Sequence, residues 1–257
     1  MAQIHPTAIV SPSATIGEGT EIGPYCIIGD NVSVGDNCWL QHHVTILGPS
    51  KIGDGNQFYS YACIGQRSQD LKYLAEPTYL EIGNRNTFRE FSTVHRATAA
   101  GQMTKVGSDG NFLSYSHIAH DCIVGNHVIF SNNGTVAGHV EVGDYANIGG
   151  LTAIHQFCRI GAHAITGGCS KIVQDVPPFF IADGNPAEIR GVNSVGLERR
   201  GYTPEQLKTL KESYRILYRS NLNVKQAVAE MDKKLGHTVE GRLLIDFVTT
   251  SQRGIIR

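Results

Sequence analysis

The chain has 257 residues, a net charge of −1 and a pI of about 6.8. This balance lacks the basic surface that nucleic acid or an anionic membrane would attract, so neither is expected as a partner. No apolar run reaches the ~18 residues of a membrane span. The N-terminus also lacks the basic and apolar regions of a secretory signal, which favours a cytoplasmic location.

A large apolar residue recurs every six positions over 4–64, 82–94 and 106–172, a total of 26 hexads interrupted only by Thr166. Helices repeat near 3.6 residues and strands near 2. A six-residue period with one aliphatic or phenylalanine per unit is typical of a parallel β-helix. Three hexads would close one triangular coil. Residue n is then expected over residue n+18, one strand spacing away, roughly 4.8 Å.

The positions around each aliphatic residue also repeat. The fourth position after it is small and should point inward with it, because i and i+4 share a face of an extended chain. Four of the six cysteines fall there, and no C-x-x-C pair exists, so a disulfide or zinc-ribbon interpretation has little support. These four are Cys26, Cys38, Cys122 and Cys158, whereas Cys63 and Cys169 lie elsewhere. Glycine often follows the aliphatic residue directly, and we expect glycine and the neighbouring Asn or Asp to fit sharp corners that need unusual dihedrals.

Two insertions interrupt the hexads, at 70–81 and 100–105. Their lengths are multiples of six, so the register returns unchanged. Insertions in solenoids often collect on one binding face. The first carries Asp70 and Lys72, a charged pair suited to a polar substrate.

The hexads give way to helical spacing near the C-terminus. Thr203 with Pro204 and Gln206 predicts a helix start. Asn223 predicts a second helix ending near Gly236, and a third covers about 239–251. We therefore predict an all-β parallel β-helix over 1–185, followed by a small α-helical domain over 186–257 that caps or flanks it.

Histidines cluster on the lattice of stacked coils. His139 is expected over Asp121, and Gly138 between His120 and Gln156. A histidine beside an aspartate forms a general-base dyad suited to proton transfer near neutral pH. Three histidines could instead hold zinc with one open position.

Several motifs together resemble the UDP-N-acetylglucosamine O-acyltransferase family, which carries out the first step of lipid A synthesis. They are QDLKY at 69–73, HIAHDC at 117–122, AGHV at 137–140, HQFC at 155–158 and GVNSVGLERRG at 191–201. The resemblance covers nearly the whole chain. It implies left-handed winding, a homotrimer, no cofactor or metal, and a 3-hydroxyacyl donor carried on the phosphopantetheine of acyl carrier protein.

The resemblance also implies roles for individual residues. His120 would take the proton of the sugar 3-hydroxyl, Asp121 would orient His120, and the Gly138 N–H would bind the oxyanion. Gly168 would set the length of the acyl groove, and its missing side chain favours a chain of about fourteen carbons over ten. The implied substrate ligands are Gln69, Asp70, Lys72, His117, His139, His155, Gln156, Asn193, Arg199 and Arg200. Two adjacent arginines suit a diphosphate.

The sequence departs from the family in two places. Val195 stands where the best-known members have an acidic residue, and the loop after His95 is shorter. The motifs do not separate a 3-hydroxyl acceptor from a 3-amino acceptor, to which some relatives transfer the chain as an amide.

Three other functions have less support in the sequence. A γ-class carbonic anhydrase is also a hexapeptide-repeat trimer, but it uses a His-x4-His pair, whereas His117 and His120 are separated by two residues. The related N-acyltransferase of the same pathway has an added N-terminal domain, whereas the hexads here begin at Ile4. A non-catalytic scaffold would have no use for the histidine column or the QDLKY segment.

Overall fold

A computed structural model describes residues 1–257, which form 28 strands and four α-helices. The first strands are β1 (Gln3–Ile4), β2 (Ile9–Val10), β3 (Thr15–Ile16), β4 (Glu21–Ile22), β5 (Ile27–Ile28), β6 (Val32–Val34), β7 (Trp39–Leu40), β8 (Thr45–Ile46), β9 (Ser50–Ile52), β10 (Gln57–Phe58), β11 (Cys63–Gln66), β12 (Tyr79–Ile82), β13 (Thr87–Phe88) and β14 (Thr93–His95). They continue with β15 (Met103–Val106), β16 (Asn111–Phe112), β17 (His117–Ile118), β18 (Ile123–Val124), β19 (Ile129–Phe130), β20 (Thr135–Val136), β21 (Glu141–Val142), β22 (Asn147–Ile148), β23 (Ala153–Ile154), β24 (Arg159–Ile160), β25 (Ile165–Thr166), β26 (Lys171–Ile172), β27 (Phe180–Gly184) and β28 (Ala187–Val192). The helices are α1 (Ser194–Arg199), α2 (Pro204–Arg219), α3 (Val224–Leu235) and α4 (Val239–Thr250).

The strands stack into three parallel sheets, with every third strand in the same sheet. We call the sheet that contains β1 sheet A, the one that contains β2 sheet B and the one that contains β3 sheet C. Gln3 pairs with Glu21, its expected partner one coil of three hexads later. Across the first loop the partner lies two hexads further on, as Gln57 pairs with Thr87, and across the second it lies one hexad further on, as Thr87 pairs with Asn111. The predicted β-helix and its lattice are confirmed.

The core is a continuous column inside the coils. Large apolar residues of successive coils stack directly on one another, as in Phe58, Phe88 and Phe112, whose ring centroids are 5.2 and 4.7 Å apart. The small residues expected to point inward are buried, including Cys26, Cys38, Cys122 and Cys158. All six cysteines are unpaired.

The expected corner role is confirmed for asparagine and aspartate, as in Asn31 and Asp109, but among the glycines directly after an inward aliphatic residue only Gly65 has a positive φ. Gly23 has an ordinary φ, but a Cβ added there would collide with the Gln41 carbonyl oxygen of the next coil. The unusual dihedrals lie two residues later, as in Tyr25 and His43, with φ of 58° and 56°. Glycine therefore lets consecutive coils approach closely, and other residues accept the left-handed conformation at the corners.

The insertions lie a few residues before the predicted bounds of 70–81 and 100–105. The first loop spans 67–78, because β12 begins at Tyr79, and the second spans 96–102, because β15 begins at Met103. Tyr79 to Ile82 pair with Met103 to Val106 and so extend sheet C. The repeat shows how many residues each insertion adds. It does not show where the insertion begins, because the predicted and the observed bounds preserve the same six-residue period.

The predicted boundary at 185/186 falls inside a β-hairpin. Strands β27 and β28 pair antiparallel at the end of sheet A, so sheet structure continues to Val192. The short helix α1, which the sequence pattern did not predict, follows at once. The predicted starts of α2 and α3 are confirmed by capping boxes at Thr203 and Asn223. No helix combines the length and the apolar character needed to cross a membrane.

The close approach of the coils gives a testable prediction. Gly23→Ala should lower the free energy of unfolding by about 1–3 kcal/mol, as for other overpacked sites. Gly168→Ala is the matched control, because its Cβ would meet only the Gly150 carbonyl oxygen at 3.5 Å. Urea unfolding of both variants checks this. Equal stability of the two would contradict the steric role assigned to Gly23.

Candidate active site

The three edges of the prism carry different groups. The B–C edge is formed by the corners from sheet B to sheet C, at 119–122, 137–140 and 155–158, and by the loops 67–78 and 96–102. Most of the candidate residues lie on this one edge, stacked in coil order. The C–A and A–B edges are defined in the same way by the corners between those sheets.

His120 and Asp121 form the dyad that the sequence predicted. His120 Nδ1 lies 2.8 Å from Asp121 Oδ2, and both side chains are largely buried, with 12% and 9% exposed. An ionised carboxylate only accepts hydrogen bonds, so Nδ1 carries the proton and donates it. His120 Nε2 is then left with a free lone pair, as a general base requires.

Asp121 is held from several sides. The Thr98 N–H donates to Oδ2 and Oδ1, at 3.1 and 3.3 Å, and the Asp121 N–H donates to Thr104 Oγ1 at 2.8 Å. Burial alone would raise the pKa of Asp121, but the hydrogen bonds from His120 and Thr98 outweigh it and hold that pKa below its ordinary value. The carboxylate is therefore ionised at neutral pH.

Gly138 lies one coil after His120. Its φ is ordinary, but a Cβ added there would lie 2.6 Å from His120 Nε2 and closer still to the ring carbon Cε1. Only glycine leaves room for the imidazole. The Gly138 N–H donates no hydrogen bond within the chain, so it is free to bind an oxyanion beside the base.

Two further histidines lie on the N-terminal side of His120. His117 Nδ1 is 2.7 Å from Thr93 Oγ1. Burial lowers the pKa of His117, and the nearby His120 lowers it further. The His95 ring centroid lies 4.9 Å from that of His117. Burial, helped by His117 and His120, lowers the pKa of His95 to about 4. Both rings are therefore neutral at pH 7.

A cavity of about 520 Å³ opens between the first loop and His95. It is lined by Gln66, Arg67, Ser68, Gln69, Asp70, Leu71, Tyr73 and His95. Two of the predicted sugar ligands, Gln69 and Asp70, thus line a cavity together with His95, whose ring packs against His117. Lys72 follows Asp70 in the same loop, and its N–H donates to Asp70 Oδ1 at 2.9 Å.

His95 and Thr98 were not among the predicted site residues. Both lie one coil before His120, but the second loop lengthens that coil by one hexad, so that Thr93 pairs with His117. The same step back from Asp121 reaches position 97, which is adjacent to Thr98. The sequence therefore indicates that Thr98 lies close to Asp121 if the second insertion is counted as one extra hexad. A constant step of three hexads per coil leaves that insertion out.

The C-terminal side of the site holds the remaining predicted ligands of this edge. His139 Nε2 is 3.7 Å from Asp121 Oδ2, and its ring stacks on Phe157 at 4.6 Å. His155 and Gln156 are exposed at the following corner. His155 Nδ1 is 3.1 Å from the Gln156 carbonyl oxygen and donates to it, which leaves Nε2 free.

The arginines lie on a different edge from the dyad. The Arg200 guanidinium stacks on Tyr145, a corner of the C–A edge, 4.3 Å from the ring centroid. Arg199 is exposed, and neither arginine forms an ion pair within the chain. Val195 is 60% exposed beside them. Burial, together with Arg200, lowers the pKa of His163 to about 4.

Asn193 has a structural role that the sequence did not predict. Its side chain caps α1 by accepting the Gly196 N–H at 3.1 Å, and it donates to the His163 carbonyl oxygen at 2.9 Å. The residue is only 7% exposed. A nucleotide contact by Asn193 would have to use the second Nδ2 hydrogen or the second Oδ1 lone pair, because these two bonds occupy the others.

Gly168 lies on the third edge, the A–B edge. A Cβ added there would meet only the Gly150 carbonyl oxygen, at 3.5 Å, so the surface beside it is open. Sheet B separates this edge from the dyad. A groove along sheet B would therefore connect the two.

One group of side chains could hold a divalent metal ion. His120, Asp121 and His139 each offer a ligand atom, and these atoms lie within 4.8 Å of one another. The Asp121 oxygen of this group is the one that accepts the hydrogen bond from His120 Nδ1.

Comparisons with known proteins identify the family. A family profile described as UDP-N-acetylglucosamine O-acyltransferase, domain 2, matches residues 175–256. The acyl-[acyl-carrier-protein]–UDP-N-acetylglucosamine O-acyltransferase of Burkholderia lata is 50% identical over 262 positions, covering all of both chains. The chain belongs to the UDP-N-acetylglucosamine O-acyltransferase family.

Solved structures of UDP-N-acetylglucosamine acyltransferases match along the whole fold. The one from Moraxella catarrhalis is 43% identical, with a TM-score of 0.95 and 99% coverage of each chain. The one from Bacteroides fragilis is 38% identical, with a TM-score of 0.97 and coverage of 99% of this chain and 100% of that one. The fold predicted from the hexads, a β-helix followed by helices, is thus the fold of the UDP-N-acetylglucosamine O-acyltransferase family.

Proposed function

We propose that this chain transfers a 3-hydroxyacyl group from acyl carrier protein to the 3-hydroxyl of UDP-N-acetylglucosamine, the first step of lipid A synthesis. One observation carries the proposal. His120 is oriented by an ionised carboxylate and packs against Gly138, whose N–H is free. A base and an oxyanion donor at adjacent positions are what acyl transfer needs. The printed names of the relatives supply the two substrates.

The reaction follows from this arrangement. His120 Nε2 takes the proton of the sugar 3-hydroxyl as its oxygen attacks the thioester carbonyl carbon. Negative charge develops on the carbonyl oxygen and is stabilised by the Gly138 N–H. The C–S bond then breaks, and the thiol of the phosphopantetheine leaves with the proton held by His120. An ester and a free thiol are formed, and Asp121 stays ionised to balance the imidazolium.

The substrate contacts are assigned by position. The cavity next to His95 fits the sugar, with Gln69, Asp70 and Lys72 supplying polar contacts. His117, His139, His155 and Gln156 lie along the same edge, where they can contact the sugar and the acyl 3-hydroxyl. Arg199 and Arg200 suit the diphosphate because their guanidinium groups have no carboxylate partner in the chain.

A homotrimer is part of the proposal. The dyad and the arginines lie on different edges of the prism. The hexad that joins two neighbouring edges spans at most about 20 Å when fully extended. A second chain packed alongside would bring an arginine-bearing edge to the dyad. An exposed apolar strip on the A–B edge offers a further surface that packing between chains would bury. It contains Tyr25, Tyr61, Phe91, Tyr115 and Leu151, each more than 40% exposed.

We further propose that the enzyme acts in the cytoplasm. The six unpaired cysteines fit a reducing compartment.

The acceptor distinguishes this function from its alternative, transfer to a 3-amino UDP-sugar. The test supplies purified protein with UDP-N-acetylglucosamine, or with its 3-amino analogue, and acyl carrier protein carrying chains of different lengths. We expect ester formation on the 3-hydroxyl sugar. Amide formation alone would establish the alternative, and transfer to neither sugar would refute both.

The dyad predicts a specific loss of activity. His120→Ala should lower kcat by about 10²–10⁴-fold, the usual effect of losing a general base. Its melting temperature should stay close to that of the unchanged protein. His5→Ala, an exposed histidine at the opposite end of the solenoid, is the control and should remain fully active. A His120→Ala enzyme with the original kcat would exclude His120 as the base.

The assembly predicts a mass. Light scattering should give three times the chain mass of 27.9 kDa. Phe91→Glu, which places a charge in the apolar strip, should weaken the trimer and lower activity with it, because a buried unpaired charge is strongly unfavourable. A fully active monomer of the unchanged protein would contradict shared sites.

The open surface at Gly168 predicts donor selectivity. The unchanged protein should prefer a donor of about fourteen carbons over ten, since each buried methylene contributes roughly 0.8 kcal/mol. Gly168→Met should shift that preference toward shorter donors by filling the groove. Donor-length profiles of kcat/KM measure both. An equal loss on every length, or a preference for ten carbons in the unchanged protein, would remove Gly168 from this role.

A further inference from the structure

A buried pair of hydroxyls lies behind the dyad. Ser68 Oγ and Thr98 Oγ1 are 2.7 Å apart, and the two residues are only 5% and 8% exposed. Ser68 belongs to the first loop and Thr98 to the second. The two loops therefore join inside the B–C edge, directly on the N-terminal side of Asp121.

The pair of hydroxyls links the first loop to the dyad. The Asp70 N–H donates to Ser68 Oγ at 3.1 Å, and Ser68 bonds Thr98 as described. The Thr98 N–H reaches both carboxylate oxygens of Asp121, and Asp121 holds His120. This link crosses Thr98 through its own covalent bonds, from the hydroxyl to the main-chain N–H, and both Ser68 and Thr98 are shielded from water.

Thr98 holds Asp121 through its main-chain N–H, and its side chain anchors that segment by bonding Ser68. Burial alone would raise the pKa of Asp121, and Thr98 contributes to the opposing, lowering effect. A weaker hold on Asp121 would let the carboxylate turn or take up a proton. His120 would then lose the acceptor that keeps the proton on Nδ1.

We propose that Thr98 is a positioning residue of the active site, which fixes Asp121 and couples it through Ser68 to the loop that carries Asp70 and Lys72. Seating of the sugar in that loop is thereby linked to the alignment of the base. The inference rests on the proposed acyl transfer, and no contact between Thr98 and substrate is needed.

The test uses single substitutions in the full-length protein. Thr98→Val keeps the shape and the N–H but removes the hydroxyl. It should lower kcat by up to about 10-fold, the range for losing a hydrogen bond between uncharged groups. Thr98→Ser restores the hydroxyl and should stay within about twofold of the unchanged protein, because the hydrogen bond to Ser68 is retained. Unchanged kcat in Thr98→Val, or no rescue by serine, would overturn the positioning role.

A matched control is available at the end of the first loop, which carries Ser68. Thr78 is also buried, but its hydroxyl has no hydrogen-bond partner. Thr78→Val makes the same chemical change and should leave kcat and KM unaltered. A loss in Thr78→Val as large as that in Thr98→Val would mean that any buried threonine here acts only through stability.

The coupling to the loop is tested by a double-mutant cycle. Ser68→Ala should raise KM for the UDP-sugar, because the loop is less firmly held. In the Thr98→Val background Ser68→Ala should cost less than it does alone, since the shared hydrogen bond is already lost and only the bond from the Asp70 N–H remains to be removed. Fully additive effects would refute the coupling.

Hydrogen exchange separates this inference from the proposed function. Thr98→Val should speed amide exchange in 67–73, and Thr78→Val should not. This readout needs no substrate. If the unchanged protein transfers no acyl group, the proposed function fails, and the exchange data still decide whether Thr98 holds the loop. Unaltered exchange in Thr98→Val would contradict the coupling.

Discussion

The stacking of one coil directly on the next determines the rest of this structure. Each coil donates backbone hydrogen bonds to the following one, as from Gly17 N to Val34 O at 2.9 Å. The glycine after the inward aliphatic residue allows this approach, because a Cβ there would enter the neighbouring backbone. Once the register is fixed, each outward residue has a set height and a set edge. The position of a functional group then follows from its residue number.

The candidate site uses this regularity and interrupts it only where a ligand could enter. Three successive corners of the B–C edge supply His120, His139 and His155 at roughly one-coil spacing, and the two loops leave the same edge on the N-terminal side. The loops preserve the register because each shifts the strand pairing by a whole number of hexads. Burial keeps His95 and His117 neutral, so an ionised Asp121 is the principal partner of the proposed base.

The sequence predicts whatever depends on the period. The β-helix, the inward cysteines, the stacking of Gly138 on His120 and the capped starts of α2 and α3 all follow from spacing and local chemistry. The loop bounds do not, because a six-residue period is equally satisfied several positions earlier. The hairpin of β27 and β28 and the capping role of Asn193 depend on contacts at the end of the solenoid. The place of Thr98 beside Asp121 does not follow from the period either, because the second loop lengthens its coil by one hexad and so displaces Thr98 from the simple lattice.

The separation of groups among edges is the main functional consequence. The dyad lies on the B–C edge, the arginines on the C–A edge and Gly168 on the A–B edge. Chains packed side by side would bring an edge of one prism to face a different edge of its neighbour. The separation of the dyad from the arginines therefore supports the proposal that each site is shared by two chains.

Mixed trimers test this most directly. Chains carrying His120→Ala and chains carrying Arg200→Ala would be purified separately, each with little activity, and then unfolded and reassembled together in equal amounts. If the base and the arginine come from different chains, random mixing restores roughly a quarter of the sites. Activity should therefore rise well above that of either parent. Mixed trimers that form, as seen by native mass spectrometry, yet remain as inactive as their parents would contradict the shared site.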